Sequence, residues 1–150
     1  MNEILVIGVG NAFRGDDGVG LVVARRLQEL VPPDVTVLEQ GGEGAALMET
    51  WQGASHVILV DAAASGAEPG TIHRFEATNQ PLPIQFFNYS THAFSLAEAV
   101  EMARQLDQLP PNLVVYGIEG QSFSFGQDLS PEVEAAAGVI IQQVLQDLRG

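Results

Sequence analysis

Two adjacent carboxylates, Asp16 and Asp17, stand in the run Gly8-Val9-Gly10-Asn11-Ala12-Phe13-Arg14-Gly15-Asp16-Asp17-Gly18-Val19-Gly20. An apolar stretch that reads as a buried strand precedes them, and residues of helical periodicity follow. In most α/β proteins such a turn cradles a phosphate, because free backbone N–H groups and the helix dipole make it electropositive. Two aspartates there repel a phosphate and suit instead a metal cation, or a carboxylate acting as acid or base. A third carboxylate, Asp61, ends the apolar run His56–Ala62, and His92 closes the polar turn Asn88-Tyr89-Ser90-Thr91-His92 ahead of a helix. Asp17, Asp61 and His92 would form an O,O,N donor set suited to a divalent ion such as Ni²⁺ or Zn²⁺, with positions left open for water or substrate. Without a metal the same three groups could serve as general base and acid, and the residues alone leave both chemistries open.

Such convergence needs a scaffold, and the chain reads as alternating strands and helices. Glu3–Val9 is a continuous apolar run, as in a strand buried on both faces of a parallel sheet. Leu21, Val22, Ala24, Leu27 and Leu30 follow at helical spacing, and Pro32-Pro33 stops the helix. Val35–Gln40 reads as a second strand, Gly41-Gly42-Glu43-Gly44 as a turn into a short helix through Trp51, and His56–Ala62 as a third strand. Thr71–Glu76 alternates polar and apolar residues like an antiparallel edge strand. A helix is expected from about Ala93 to Asp107, with Ser95 and Glu98 spaced as a capping box. Leu113–Glu119 is a fifth strand, and Ser130-Pro131-Glu132 supplies the cap, first-turn proline and early acid of a last helix to about Leu148. The order predicts one α/β domain over residues 1–150, a three-layer α-β-α sandwich on a mostly parallel, twisted, five-stranded sheet with one antiparallel edge.

In open α/β sheets ligands bind beyond the carboxyl ends of the strands. That rim would carry Asn11, Asp16 and Asp17 after the first strand, Glu39, Gly41, Gly42 and Glu43 around the end of the second, Asp61 at the third and Glu119 at the fifth. Plainer roles compete with chemistry at each. Asp16 is the member of its pair expected to cap the first helix. Asp61 could be turn chemistry, although a lone buried carboxylate is costly. His92 alone could be a surface histidine. His56, at the opposite end of the sheet, and His73, on the edge strand, are expected to face solvent. Glu39, Glu43 and Glu119 are expected to be solvated rim charges available for substrate contacts. The loops Gly41–Gly44 and Ala77–Tyr89 are expected to flank the rim where an extended peptide would lie.

Other functions fit less well. A dinucleotide fingerprint would need glycine at Phe13, no lysine follows the turn, and no G-x-S-x-G elbow occurs. With 6 basic against 19 acidic residues the formal charge is −13, which disfavours nucleic acid and anionic lipid as partners. The absence of cysteine removes disulfides, thiolate metal sites and cysteine nucleophiles. The apolar runs are too short to span a bilayer, and no signal-type segment opens the chain, so a soluble cytoplasmic protein is expected. No heptad or exposed apolar stripe stands out, which fits a monomer.

Gly8-Val9-Gly10-Asn11, Asp16-Asp17-Gly18-Val19-Gly20, Val60-Asp61-Ala62 and Ser90-Thr91-His92 before a helix resemble, in order and over essentially the whole chain, the hydrogenase maturation endopeptidase family. The resemblance implies a protease that removes a short C-terminal extension from the large-subunit precursor of a [NiFe] hydrogenase after nickel insertion. It also implies that Asp17, Asp61 and His92 contact the metal, with Asp17 at a position that holds Glu or Asp in the family. Nickel would then arrive with the precursor and act as the recognition element. Tyr116-Gly117-Ile118-Glu119-Gly120 and Leu129-Ser130-Pro131-Glu132-Val133 are similar to members serving bidirectional, NAD(P)-linked hydrogenases. A nickel-binding assembly factor without peptidase activity, or a Rossmann-like nucleotide-binding domain, are the alternatives.

Overall fold

The computed structural model describes residues 3–83 and 95–149. Strands β1 (Ile4–Val9), β2 (Val35–Gln40), β3 (His56–Ala63), β4 (Ile72–Glu76) and β5 (Asn112–Glu119) form one sheet in the order β2-β1-β3-β5-β4. Its first four members are parallel, and β4 pairs antiparallel with β5 at the edge. The expected strands are thus all present, displaced by at most a residue at their ends.

Helices α1 (Val19–Leu27), α2 (Gly44–Trp51), α3 (Leu96–Gln105) and α4 (Pro131–Arg149) cover the two faces. Alternation along β3 separates two cores. Ile58, Val60 and Ala62 pack with Val19, Val23 and Leu27 of α1 and Val133, Ala137 and Ile140 of α4. Val57, Leu59 and Ala63 pack with Leu47 and Trp51 of α2 and Leu96, Val100 and Ala103 of α3. Helix α3 carries the expected capping box of Ser95 and Glu98, so it starts at Leu96 rather than near Ala93.

Two glycines set the distance between α1 and the sheet. A Cβ on Gly8 would lie 2.1 Å from the carbonyl oxygen of Gly20, and one on Gly20 would lie 2.3 Å from that of Val60 and 2.4 Å from that of Val9. The start of α1 therefore rests directly on the backbone of β1 and β3. From β1 the chain goes to β2 on one side and later to β3 on the other, so a topological switch point opens between β1 and β3 at their carboxyl ends. The turn bearing Asp16 and Asp17 stands at that point.

One expected flank is misplaced. Because β4 runs opposite to its neighbours, the chain leaving it emerges at the amino ends of the parallel strands. The Ala77 N–H donates to Leu113 O at 2.9 Å, and the Thr78 hydroxyl oxygen accepts from Leu113 N at 2.7 Å. Residues 77–83 thus lie across the sheet from the rim, and the rest of the Ala77–Tyr89 loop lies outside the described residues. Among the described residues no helix is long and apolar enough to cross a membrane.

Candidate active site at the β1–β3 crevice

Residues 10–18 form a closed turn built by backbone and by Asn11. The Asn11 N–H donates to Asp17 O at 3.2 Å, Arg14 N to Asn11 O at 3.2 Å and Asp17 N to Arg14 O at 3.1 Å, while Asn11 Oδ1 accepts from Phe13 N at 2.9 Å. Gly10, at φ +153°, makes this closure possible, since a Cβ there would fall 1.9 Å from Asp17 O. The backbone thus folds onto itself at the place where a dinucleotide fold would leave N–H groups for a pyrophosphate. Asn11, a candidate for substrate contact, is occupied in holding this turn.

The turn ends in a 3-10 segment, Gly15–Gly18, whose two aspartates are buried. Asp16 does not cap α1; Gly18 holds that position, and no side chain caps it. Instead the Asp16 carboxylate reaches the segment between β5 and α4. It accepts from Gln121 N at 2.7 Å, Ser122 N at 3.0 Å, Ser130 N at 2.7 Å and the Ser130 hydroxyl at 2.9 Å. Asp16 therefore sits at the N-terminus of α4, where the helix dipole favours an anion, and Ser130, expected to cap α4 itself, gives its hydroxyl to this carboxylate.

Asp17 is 5% exposed, and its Oδ1 lies 3.8 Å from where a Gly10 Cβ would be. Asp61 is 4% exposed and shares the sheet face of Leu59 and Ala63, with one oxygen accepting from Ala62 N at 2.8 Å. The 3-10 segment packs against β3, and Gly20 seats α1 on the carbonyl of Val60, the residue before Asp61. Both carboxylates are thus nearly buried at the carboxyl ends of β1 and β3. Among the described residues no third His, Cys, Asp or Glu completes a metal-binding group with them; His92 lies outside the described residues.

Known proteins share the sequence pattern and the fold that carry this crevice. A family model described as hydrogenase maturation protease matches residues 21–147. The hydrogenase 2 maturation protease of Escherichia coli is 31% identical over 151 residues, covering 98% of this chain and 91% of that protein. This chain belongs to the hydrogenase maturation protease family. Among solved structures, the hydrogenase maturating endopeptidase HybD from E. coli superposes with a TM-score of 0.85 at 31% identity, over 99% of this chain and 93% of that one. The [NiFe] hydrogenase maturation protease HycI from Thermococcus kodakarensis gives 0.73 at 25% identity, over 99% and 94%. The protein is accordingly a hydrolase, an endopeptidase of hydrogenase maturation.

The other rim candidates of this maturation protease have structural employment. Glu119 is not a solvated rim charge: it is 2% exposed, and its carboxylate accepts from Ser65 N at 2.8 Å, the Ser65 hydroxyl at 2.6 Å and Gly66 N at 3.2 Å. It also meets His73 Nε2 at 3.2 Å, so His73 is a partly buried neighbour of Glu119 rather than a solvent-facing residue. Together they pin the segment leaving β3 a few residues beyond Asp61. Glu39 pairs with Arg25 of α1 at 3.0 Å. Glu43 caps α2, accepting from Ala45 N at 3.0 Å and Ala46 N at 3.1 Å. Gly41 and Gly42 follow β2 at the crevice; Gly42 is buried at φ +90°, a conformation suited to glycine.

One further residue carries no signal in the sequence. Gln40, whose carbonyl oxygen accepts from Gly10 N at 3.0 Å, gives its side-chain N–H to the Thr50 hydroxyl. Its Oε1 is the one buried side-chain polar atom without a partner among the described residues. Thr50 already donates to Ala46 O at 2.8 Å, which fixes the amide with its nitrogen toward Thr50. A glutamine ending a strand looks like any other polar strand end until the fold sets Thr50 beside it.

Proposed function

We propose that the crevice cleaves the C-terminal extension from a [NiFe] hydrogenase large-subunit precursor, and that nickel carried by the precursor is gripped by Asp17, Asp61 and His92. The observation that carries this reading is the burial of Asp17 and Asp61 at one topological switch point. Buried carboxylates are expensive unless hydrogen-bonded or near a cation. The backbone and hydroxyl donors of residues 121–130 compensate Asp16. Asp17 and Asp61 would offer a divalent ion two oxygen donors at once. Two carboxylates and an imidazole are hard-to-borderline donors that suit nickel with coordination positions left for the precursor's own ligands. A precursor without the ion would not offer this attraction, so loading would gate cleavage.

Bound nickel would supply Lewis acidity near the scissile bond. The chain's own groups hold the turn closed, orient Asp17 and Asp61 and exclude bulk water from both. This reading carries with it a monomeric cytoplasmic enzyme in transient contact with its substrate. An acidic, tryptophan-poor rim fits a transient interface better than a permanent one. Bidirectional, NAD(P)-linked hydrogenases are the first substrates to try.

The test is incubation of the enzyme with nickel-loaded and nickel-free precursor, read by intact mass. Only the loaded precursor should lose a C-terminal peptide, and Asp17→Asn, Asp61→Asn and His92→Ala should abolish the loss. Cleavage of both precursors would remove the nickel gate.

A further inference from the structure

We infer that Arg14, in the turn that carries the exposed Phe13 and is bonded to the loop of the exposed Phe125, docks a carboxylate of the precursor's C-terminal segment; the inference rests on the processing reaction proposed above. The chain has six arginines and no lysine. Arg25 pairs with Glu39, Arg26 with Glu134, Arg74 with Asp147 and Arg104 with Glu101. Arg149 closes α4, which starts beside Asp16 and carries it roughly 27 Å back along the sheet at 1.5 Å per residue. Arg14 is therefore the one cation at the crevice end without an ion pair among the described residues. Asp16, two positions along the chain, does not neutralise it, because its oxygens are buried and taken by Gln121, Ser122 and Ser130.

An unpaired guanidinium in a protein of charge −13, three residues from Asp17, has a use if the substrate brings an anion. A C-terminal extension always does, since it ends in an α-carboxylate, and Asp17 and Asp61 would repel that group. A guanidinium takes a carboxylate through two parallel N–H bonds and so fixes direction as well as place. The surroundings fit a docking point. Phe13 and Phe125, at 73% and 76%, are the most exposed large apolar residues described, and a hydrogen bond of 3.0 Å from Gly126 N to Phe13 O joins their loops. Aromatic and arginine side chains are the types that dominate binding at interfaces.

The test measures cleavage and direct binding of the loaded precursor by wild type, Arg14→Gln, Arg14→Lys and Phe125→Ala at two salt concentrations. Arg14→Gln should raise KM and Kd by about tenfold with kcat within about twofold, and should flatten the salt dependence. Arg14→Lys should restore the salt dependence but only part of the affinity, and Phe125→Ala should raise KM. Two altered precursors locate the anion: one ends in a C-terminal amide, the other has the acidic side chains of its extension neutralised. The effect of Arg14→Gln should vanish with the first if the α-carboxylate is bound, or with the second if a side chain is. Persistence with both, or kcat/KM of Arg14→Gln within twofold of wild type, overturns the inference while leaving the protease intact. Arg14-dependent binding by a wild type that never shortens the precursor removes the proposed function and keeps the docking point; no binding and no cleavage removes both.

Discussion

A 3-10 turn advances about 120° per residue, so the carboxylates of Asp16 and Asp17 leave Gly15–Gly18 in different directions. Asp16 turns to the segment between β5 and α4, and its bonds with backbone and hydroxyl donors hold the turn to residues 121–130. Asp17 stays at the crevice beside Gly10. The two should respond oppositely to the same change. Asp16→Asn replaces an acceptor facing four donors with a group that is itself half donor, at a cost of about 2–4 kcal/mol, or about 5–15 °C in Tm for a chain of this size. Asp17→Asn should leave Tm within about 3 °C of wild type and remove cleavage. Thermal unfolding of both variants decides it, and equal losses of Tm would sink this division of labour. The sequence points Asp16 to the cap of α1, and its actual partners are hidden there because Gln121, Ser122 and Ser130 lie more than 100 positions away in the chain. The meeting of Glu119 with His73 is hidden for the same reason: it depends on β4 pairing antiparallel with β5, in a register no local pattern states.

At the scale of elements the legible parts are those governed by local rules. Continuous apolar runs mark β1 and β3, the alternation in Thr71–Glu76 marks an edge strand, and Ser95 with Glu98 marks the start of α3. The close seating of α1 is not legible, because Gly8 and Gly20 look like ordinary turn-and-helix glycines until the sheet brings Val60 beneath them. Gly20→Ala places a methyl group against two backbone carbonyls that cannot rotate away. It should destabilise by about 2–3 kcal/mol and, by lifting the turn from β3, depress cleavage further than the stability loss alone explains. Gly138 is the internal control: it lies exposed within α4, and nothing stands within 4 Å of its would-be Cβ. Gly138→Ala should gain about 0.5–1 kcal/mol from helix propensity and leave kcat/KM unchanged. Denaturant unfolding with parallel kinetics separates the two cases, and a Gly20→Ala enzyme of normal activity would show that the seating does not position the site.

For the whole molecule, composition makes one titration unusually clean. With no lysine and no cysteine, the side chains that ionise between pH 10 and 12 are the two tyrosines, Tyr89 and Tyr116. Tyr116 is fully buried where β5, β4 and α4 meet. Its hydroxyl donates to Asp147 and accepts from Arg74 Nε at 3.1 Å, and Arg74 in turn pairs with Asp147 at 2.9 Å. Burial first, and then the bond to Asp147, push its pKa up to about 12, while Arg74 opposes the shift. A group whose folded pKa lies above its unfolded value of about 10 contributes stability that is complete below pH 10 and lost as pH rises toward 12. The loss should come to about 2 kcal/mol, because each tenfold change in proton affinity is worth about 1.4 kcal/mol and solvent near Asp147 screens part of it. It falls on a molecule already at −13, where each added negative charge also increases self-repulsion. Tyr116→Phe should be less stable than wild type at pH 8, since Asp147 loses a donor, yet its stability should fall less steeply from pH 10 to 12. Urea midpoints across that range test this, and parallel declines in the two proteins would mean that the β4–α4 junction does not titrate through Tyr116.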